Sequence, residues 1–594
     1  MHNQHLANNR HSAGVSPTVM SATHTSLTRN PTFAKRTKTK AHDSRRGSVL
    51  LAVLVIIAIF TLSAYTFSMT MVGEHQAAAM HLRGVQTRLY ADSGVELIMA
   101  TVGDIAEDAD RNYYHNPDMF QDVLVKDSEN RRGRGRFSIV APIESDESTS
   151  SIRFGLIDES SKLNMNFLLQ DEDADDPISQ EKTRERLMYL PYMTEEIADA
   201  MLDWLDENTE PREYGAEDEV YMSLDQPYAA KNGKLESLDE LLLVSGMTPE
   251  LLYGEDTNRN GLLDPNENDG DKTPPFDNSD GVLELGWSAY LTVYSREANR
   301  RSDGSERINV NENALDQLFD ALEEEFDEDT ARFIVAYRIY GAYQDPSQTF
   351  DEEGGSTSSS SQRNNTQAGA TELQELAQST ANALFRAAEN GTVTRGGLDL
   401  SQGGQYQLGS IYDLVGVKVE AQIAEEPVTI ESPWQIDSGD LQENLPILLD
   451  TLSLTDDPII PARININQAR LEVLQGIPDM PVEVAQEIID RQMIGSAGEP
   501  LIDEISMRNT CGWLLIEGQL EITQMRQLDR FMTAEGHVYR AQVVGYFDEG
   551  GPFTRLEAVI DATESIPKTI FVRDLTDLGK GYSRRVLETG AISR

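Results

Sequence analysis

The 594-residue sequence predicts an α+β protein: a long N-terminal helix, an α/β domain built against its second half, and large helical domains inserted into that α/β domain. Three observations lead there. An uncharged apolar run from Ser48 to Gly73 continues into an amphipathic helical pattern. Alternating, strand-like segments follow that helix and recur near the C-terminus. Between them a short Asn-x-Asn pattern occurs three times, each copy followed by helical periodicity.

The first element is read from "SRRGSVLLAVLVIIAIFTLSAYTFSMTMVGE". Its 26 uncharged residues, Ser48 to Gly73, exceed the roughly 20 that a helix needs to cross a ~30 Å hydrocarbon core. The span is too long for the apolar core of a cleavable signal and lacks the small-residue ending of one. The first 47 residues carry eight Lys+Arg against Asp43, a net +7, whereas the remainder holds 42 Lys+Arg and 99 Asp+Glu, a net −57. The positive-inside rule therefore predicts a basic cytoplasmic leader (1–47), a single pass, and the bulk of the chain on the far side of the inner membrane. Leu82, Val85 and Leu89, then Val95, Ile98, Val102 and Ile105, keep three-four spacing, so one transmembrane and amphipathic helix is expected over 48–105.

The rest of the composition, 25% charged and 39% hydrophobic, is that of globular material. A lone Cys511 excludes an intramolecular disulfide framework. An acidic exterior repels phosphate backbones and attracts divalent cations, which disfavours nucleic acid as partner.

Residues 106–160 hold "RGRFSIVAPIE" and "SSIRFGLIDES", read as a strand hairpin. "KLNMN" (162–166), "RINVN" (307–311) and "RININ" (463–467) then mark three repeats, each leading into a helix pair. In the third, one helix ends near Gly476, a turn follows at Pro478 and Pro481, and Val484, Ala485, Ile488 and Ile489 line the second helix. Ala198 and Leu202 match in the first copy, and Ala331, Ile334 and Val335 in the second. The repeats resemble helix-hairpin-helix (SAM-like) units. Their turn "GIPDM" lacks the G-x-G that faces a phosphate, and its flanks are acidic, so packing or protein contact is the expected role. The segments read as an inserted helical domain (161–253), a loop region (254–281), a strand plus second repeat (282–344), a Ser/Gly-rich linker (345–371), a module with the third repeat (372–535), and C-terminal β-structure and tail (536–594).

"DTNRNGLLDPNE" has the pattern of an EF-hand-type loop. Asp256, Asn258 and Asn260 occupy positions one, three and five, Gly261 permits the bend at six, Leu262 offers its carbonyl at seven, Asp264 sits at nine and Glu267 at twelve. Ca2+ is the expected ligand, with the affinity of an extracellular site because two of the ligands are neutral. Asx-rich loops also form without metal. No catalytic constellation occurs: eight of the nine histidines precede residue 116, leaving His537 alone. "RRGRGRF" (131–137) reads as a turn with a solvated face, and the paired acids Asp203 and Asp206 as an exposed face or cation site.

Basic "RRG" before the apolar span and "YADSGVELIMA" near the helix end resemble type IV pilins and pseudopilins. The order "IDESSKLNMN", "MLDWLDENTEPREYGAEDEVY", "QPYAAKNGKLESLDELLLVSGMTPELLYG" and "INVNENAL" is similar to the K-type minor pseudopilin family of type II secretion, over about Gly47 to Leu315. The resemblance implies a pilin-like domain, no enzymatic activity, cleavage by a prepilin peptidase between Gly47 and Ser48 with methylation of the new N-terminus, and calcium in the soluble part. It places the subunit at the tip of a periplasmic pseudopilus with I- and J-type minor pseudopilins and inner-membrane secretion components. Ala52, at the fifth mature position, stands where most pseudopilins carry Glu, an absence the K-type shares. Asp203, Asp206, Glu217 and Asp218 match a further cation-site region. The 47-residue leader and the long part after Leu315 depart from the family. Two other readings are a membrane-anchored DNA-binding receptor built on the repeats and a minor pilin of a type IV pilus.

Overall fold

The structure, a computed structural model, describes residues 46–103, 113–143, 152–174, 176–270, 272–275, 277–343, 394–423, 426–436, 438–492 and 508–588. The leader before Arg46 and the 345–371 linker lie outside them. The chain divides into two units, Met1–Gln76 and Ala77–Arg594. In the first, the helix that begins at Arg46 has every side chain from Val49 to Gln76 exposed, and it is the one helix among the described residues long and apolar enough to cross a membrane.

In the second unit, helix residues up to Gly103 pack on an antiparallel sheet ordered Val123–Lys126, Gly135–Pro142, Val538–Phe547, Thr554–Asp561, Lys568–Asp574. The short strands Ile152–Arg153 and Ile157–Asp158 extend the second and third of these. The hairpin read from the sequence is therefore present only as Ala141↔Arg153 and Pro142↔Ile152, while the main partner of Gly135–Pro142 comes from the far end of the chain. Alternation of β-branched and aromatic residues fits both strands to a sheet covered on one face by the helix. Ala91, Val95, Ile98 and Val102 bury against Phe137, Ile139, Val543 and Leu556, and the buried Tyr90 ring meets Phe547 edge to face. Two glycines let backbones approach closely: a Cβ on Gly94 would sit 2.4 Å from Val543 Cγ1, and one on Gly545 would sit 2.2 Å from the Thr87 carbonyl oxygen.

Leu82, Val85 and Leu89 do not share that buried face; all three are exposed. The reason is angular. From Leu89 to Val95 is six residues, about 600° of helix at about 100° each and so a net ~240° beyond a full turn, which puts the two apolar sets on different sides.

Residues 159–537 leave and re-enter the sheet at one place, where Asp158 pairs with Tyr539. The Asn-x-Asn copies become three equivalent units inside this insertion. Each begins with a two-residue strand that pairs in parallel with a later one: Leu163–Asn164 with Leu291–Thr292, Ile308–Asn309 with Leu452–Ser453, and Ile464–Asn465 with Met532–Thr533. The first Asn of each copy accepts the amide two residues on, at 3.1 Å (Asn164), 2.9 Å (Asn309) and 2.9 Å (Asn465). The second Asn spans loop backbone. Asn166 joins Leu235, Asn311 joins Leu408 and Leu454, and Asn467 joins Arg508 and Ala534.

The helix pairs are Pro177–Met188 with Glu195–Leu205, Leu315–Glu325 with Glu328–Tyr340, and Leu471–Gln475 with Val482–Arg491. In the first and third the turn carries a left-handed residue at the matching place, Tyr192 (φ 60°) and Asp479 (φ 58°), and a buried Met after it. Ala198, Leu202, Ala331, Ile334, Val335, Ala485 and Ile488 are buried as the periodicity predicts, while Val484 and Ile489 are half-buried.

One boundary is corrected. A module over 372–535 does not describe the packing, because the Leu452–Ser453 strand closes on Ile308–Asn309 and so returns the residues before it to the second repeat. The second repeat is itself set into a stem, Arg296–Ala298 paired with Ile459–Pro461. Two-residue strands lack periodicity, and this pairing left no sequence signal.

Candidate functional site

Three features gather the residues singled out by sequence. The first is the helix. Gly47 and Ser48 fall in its opening turn and Ala52 is exposed on it. Within the second unit, Leu82, Val85 and Leu89 form an apolar stripe that faces away from the sheet.

The second is the 256–267 loop. Gly261 takes φ 67°, the left-handed conformation that a sharp bend needs and that a Cβ disfavours. Asp256 is buried and accepts the Asn260 amide at 2.9 Å and the Gly261 amide at 2.8 Å. Glu267, also buried, accepts from the backbone of Thr257 at 3.2 Å and of Asp264 at 3.0 Å. Asp264 accepts from the side-chain amides of Asn258 at 2.6 Å and Asn260 at 2.9 Å. Leu262 donates its amide to Asn260 Oδ1 at 2.6 Å. Burial raises the carboxyl pKa of Asp256 and of Glu267, against the pull of the amides they hold. Neighbouring Glu255 is pushed up to about 7 by burial.

Among the described residues no three His, Cys, Asp or Glu side chains converge as a ready metal site. In this loop the two asparagine nitrogens point at Asp264, and Asn258 Oδ1 is buried without a donor. A planar amide turned by 180° exchanges oxygen for nitrogen at the same shape. That turn at Asn258 would present one more oxygen beside three carboxylates, while the Leu262 amide and the Gly581 carbonyl fix the Asn260 amide as it stands; the oxygen donors fit a hard cation such as Ca2+.

Residues remote in sequence hold this loop. Gln542 donates to the Arg259 carbonyl at 2.6 Å, Arg555 donates to the Asn258 carbonyl, and Asn260 donates to the Gly581 carbonyl at 2.8 Å. Sequence reasoning missed all three holders, since nothing local links positions so far apart.

The third feature is an acidic pocket on the first repeat. Asp203 is fully buried, accepts the Arg212 amide at 3.2 Å and lies 3.4 Å from its guanidinium; Asp206 lies 4.0 Å from the same group. Glu172, not foreseen, pairs with Arg212 as well. Burial, only partly offset by Arg212, pushes Asp203 up to about 7 and Asp206 up to about 6. Glu217 is buried and raised by burial. Asp218 does not join them: it is exposed and accepts the Ala230 amide at 2.8 Å. Asp203, Asp206 and Glu172 thus surround one arginine, and Glu217 adds its charge beside the two aspartates, an excess of carboxylate charge in a low-dielectric place.

The family model for type II secretion system protein K, first domain, matches residues 161–253, which contain this pocket and the first helix pair. The type II secretion system protein K of Klebsiella pneumoniae is 29% identical over 213 residues, 35% of this chain and 60% of the relative. That of Pectobacterium carotovorum subsp. carotovorum is 26% identical over 222 residues, again 35% of this chain and 60% of the relative. The chain therefore spans less than two thirds of either relative's length. The crystal structure of the GspK-GspI-GspJ complex from enterotoxigenic Escherichia coli aligns with 84% of this chain and 99% of that one at 10% identity, with a TM-score of 0.35. The family model and both curated relatives agree with the motif order: over residues 161–253 the chain matches the first domain of type II secretion system protein K.

Proposed function

We propose that the chain is a non-enzymatic minor pseudopilin that initiates or caps the tip of a type II secretion pseudopilus, working with I- and J-type minor pseudopilins for protein export. The observation that carries this reading is the helix: apolar through Gly73 and exposed through Gln76, then presenting the uncovered stripe Leu82, Val85 and Leu89 while its other side packs on the sheet. An apolar stripe left open on a helix is a contact surface for other helices of the same kind. Ala52 supports the tip position, because a subunit without a carboxylate there cannot pair with the terminal amine of a subunit above it. The leader stays cytoplasmic until a prepilin peptidase cuts after Gly47, and the second unit lies in the periplasm.

Calcium belongs to the same proposal. Asp256, Asn258, Asn260, Asp264, Glu267 and the Leu262 carbonyl would hold one ion, and Asp203, Asp206 and Glu217 a second. Bound Ca2+ would neutralise carboxylates that burial disfavours as anions. Its role here is structural, fixing the loop against the sheet through Gln542, Arg555 and Gly581.

The deciding measurement is the intact mass and N-terminal residue of the membrane-extracted chain after co-expression with a prepilin peptidase. A chain that begins at an N-methylated Ser48 supports the reading. An intact leader leaves an ordinary signal anchor carrying protein-contact modules, and the pseudopilin assignment fails.

A further inference from the structure

In a chain whose exported part is net −57, one exposed loop is basic. It joins the strands Val123–Lys126 and Gly135–Pro142 and carries Lys126, Arg131 and Arg132 on its outer surface. Arg131 has no ion pair among the described residues, and the Arg132 side chain is 73% exposed, with Glu549 no nearer than 3.6 Å. Arg134 pairs with exposed Asp127 at 3.2 Å, and Glu129 and Glu549 are the other nearby acids.

Beside the arginines, the edge strand exposes Leu124 and Val125. The loop is fixed to the long helix at one point. Arg83 donates to the carbonyls of Arg132 at 3.1 Å and Gly550 at 3.0 Å, with its guanidinium 4.3 Å above the Phe547 ring. Arg83 follows Gly73, the last residue of the uncharged run, by ten positions. Only ten residues of chain, at most about 35 Å fully extended, therefore tether that point to the run.

We propose that this loop rests on the anionic phospholipid headgroups of the membrane in which the chain is anchored, Lys126, Arg131 and Arg132 contacting phosphate and Leu124 and Val125 entering the interface. Basic side chains next to exposed apolar ones make the pairing that binds an anionic bilayer surface, and each basic residue adds to it. The contact parks the exported part on the leaflet before assembly, and incorporation into a filament has to break it. The inference rests on residues 48–73 being a membrane anchor.

The test uses the full-length chain reconstituted into vesicles of phosphatidylcholine alone or mixed equally with phosphatidylglycerol. A glutamate-specific protease cuts after exposed Glu129 in the loop and after exposed Glu564, which follows Asp561 at the opposite end of the sheet. Flotation with both vesicle types reports the anchor independently. With phosphatidylglycerol, cleavage at Glu129 relative to Glu564 slows by about tenfold or more. High salt restores it, and the double variant Arg131→Gln, Arg132→Gln loses the protection. Both arginines are exposed, so the variant leaves the fold intact. Equal ratios in the two lipids overturn the proposal and leave the loop free for an acidic protein surface, whereas a chain that fails to float refutes the anchor instead.

Discussion

Replacing Glu159 by Gln measures how strongly the sheet is tied to the inserted modules. Glu159 is fully buried one residue past the strand that meets Tyr539, and its carboxylate faces two directions. Toward the sheet it pairs with Arg540, Nε to Oε1 at 2.6 Å and Nη2 to Oε2 at 3.2 Å. Toward the first module it accepts a hydrogen bond from the Thr292 hydroxyl and lies 3.9 Å from Lys162 Nζ. Burial alone would raise its pKa; the Arg540 charge, then Lys162, overcome this and hold it at about 2 against an ordinary 4.5. A carboxyl depressed in the folded state stabilises above its unfolded pKa, and that contribution is lost as pH falls from about 4.5 toward 2. The difference corresponds to about 3 kcal/mol. Arg540 keeps Glu557 at 3.1 Å in the variant, so it is not left without a partner. Urea denaturation of the Ala77–Arg594 unit, followed by tryptophan fluorescence, should show Glu159→Gln less stable than wild type by about 3 kcal/mol at pH 7, with the gap shrinking to under about 1 kcal/mol near pH 2.5. A gap of the same size at both pH values would refute the reasoning, because the stabilisation would not then depend on the charge.

Gly545→Ala should lower stability by about 2 kcal/mol or more, since its methyl meets the Thr87 backbone oxygen rather than a movable side chain, and a thermal melt reads this directly. Asn311→Ala removes the partner of the Leu408 amide and of the Leu408 and Leu454 carbonyls. The cost should be about 2–3 kcal/mol, with faster hydrogen exchange around Leu408 but unchanged exchange around Leu235, where the first repeat has its own copy of the bond. Calcium should raise the thermal midpoint of the same unit by mass action, and Asp256→Asn with Glu267→Gln should abolish the part due to the 256–267 loop. A midpoint indifferent to both calcium and chelator counts against the metal.

What the sequence disclosed and what it hid follow from the range of each interaction. The helix, expected over 48–105 and observed as Arg46–Gly103, is a matter of charge and local periodicity. "VYRAQVVGYF" is the strand Val538–Phe547 because its side chains alternate faces at the spacing of two that any strand imposes. The Asn-x-Asn repeats were visible because the first Asn caps a backbone amide only two residues away, a purely local device. Their closing strands are two residues long and lie as many as 144 positions further on, from Ile308 to Leu452, which no local pattern records. The acidic segment showed Asp203 and Asp206 but not that Arg212 would draw Glu172 in beside them. Leu82, Val85 and Leu89 were read with Val95, Ile98 and Val102 as one pattern because three-four spacing was followed across a six-residue gap, which leaves the two sets about 240° apart around the helix.

The way the modules are inserted explains how the chain can grow without disturbing its long helix. Residues 159–537 depart and return across one antiparallel pairing, Ile157–Asp158 on Tyr539–Arg540, so the sheet sees only two adjacent ends. Closing a long loop costs only slightly more than closing a shorter one, since the entropy rises with the logarithm of length. The second repeat uses the same device one level down, set into the stem where Ala298 faces Ile459. Each insertion is closed by its own hydrogen bonds before the chain re-enters the sheet, and Asp158 fastens the exit to the return by accepting from Asn465 and from the Gly536 amide, both at 2.7 Å. Added length therefore enlarges the inserted modules while the register between Gly135–Pro142 and Val538–Phe547, and with it the seat of the long helix, stays as it was. A chain built this way can acquire new surfaces on the inserted modules and still leave the long helix unchanged.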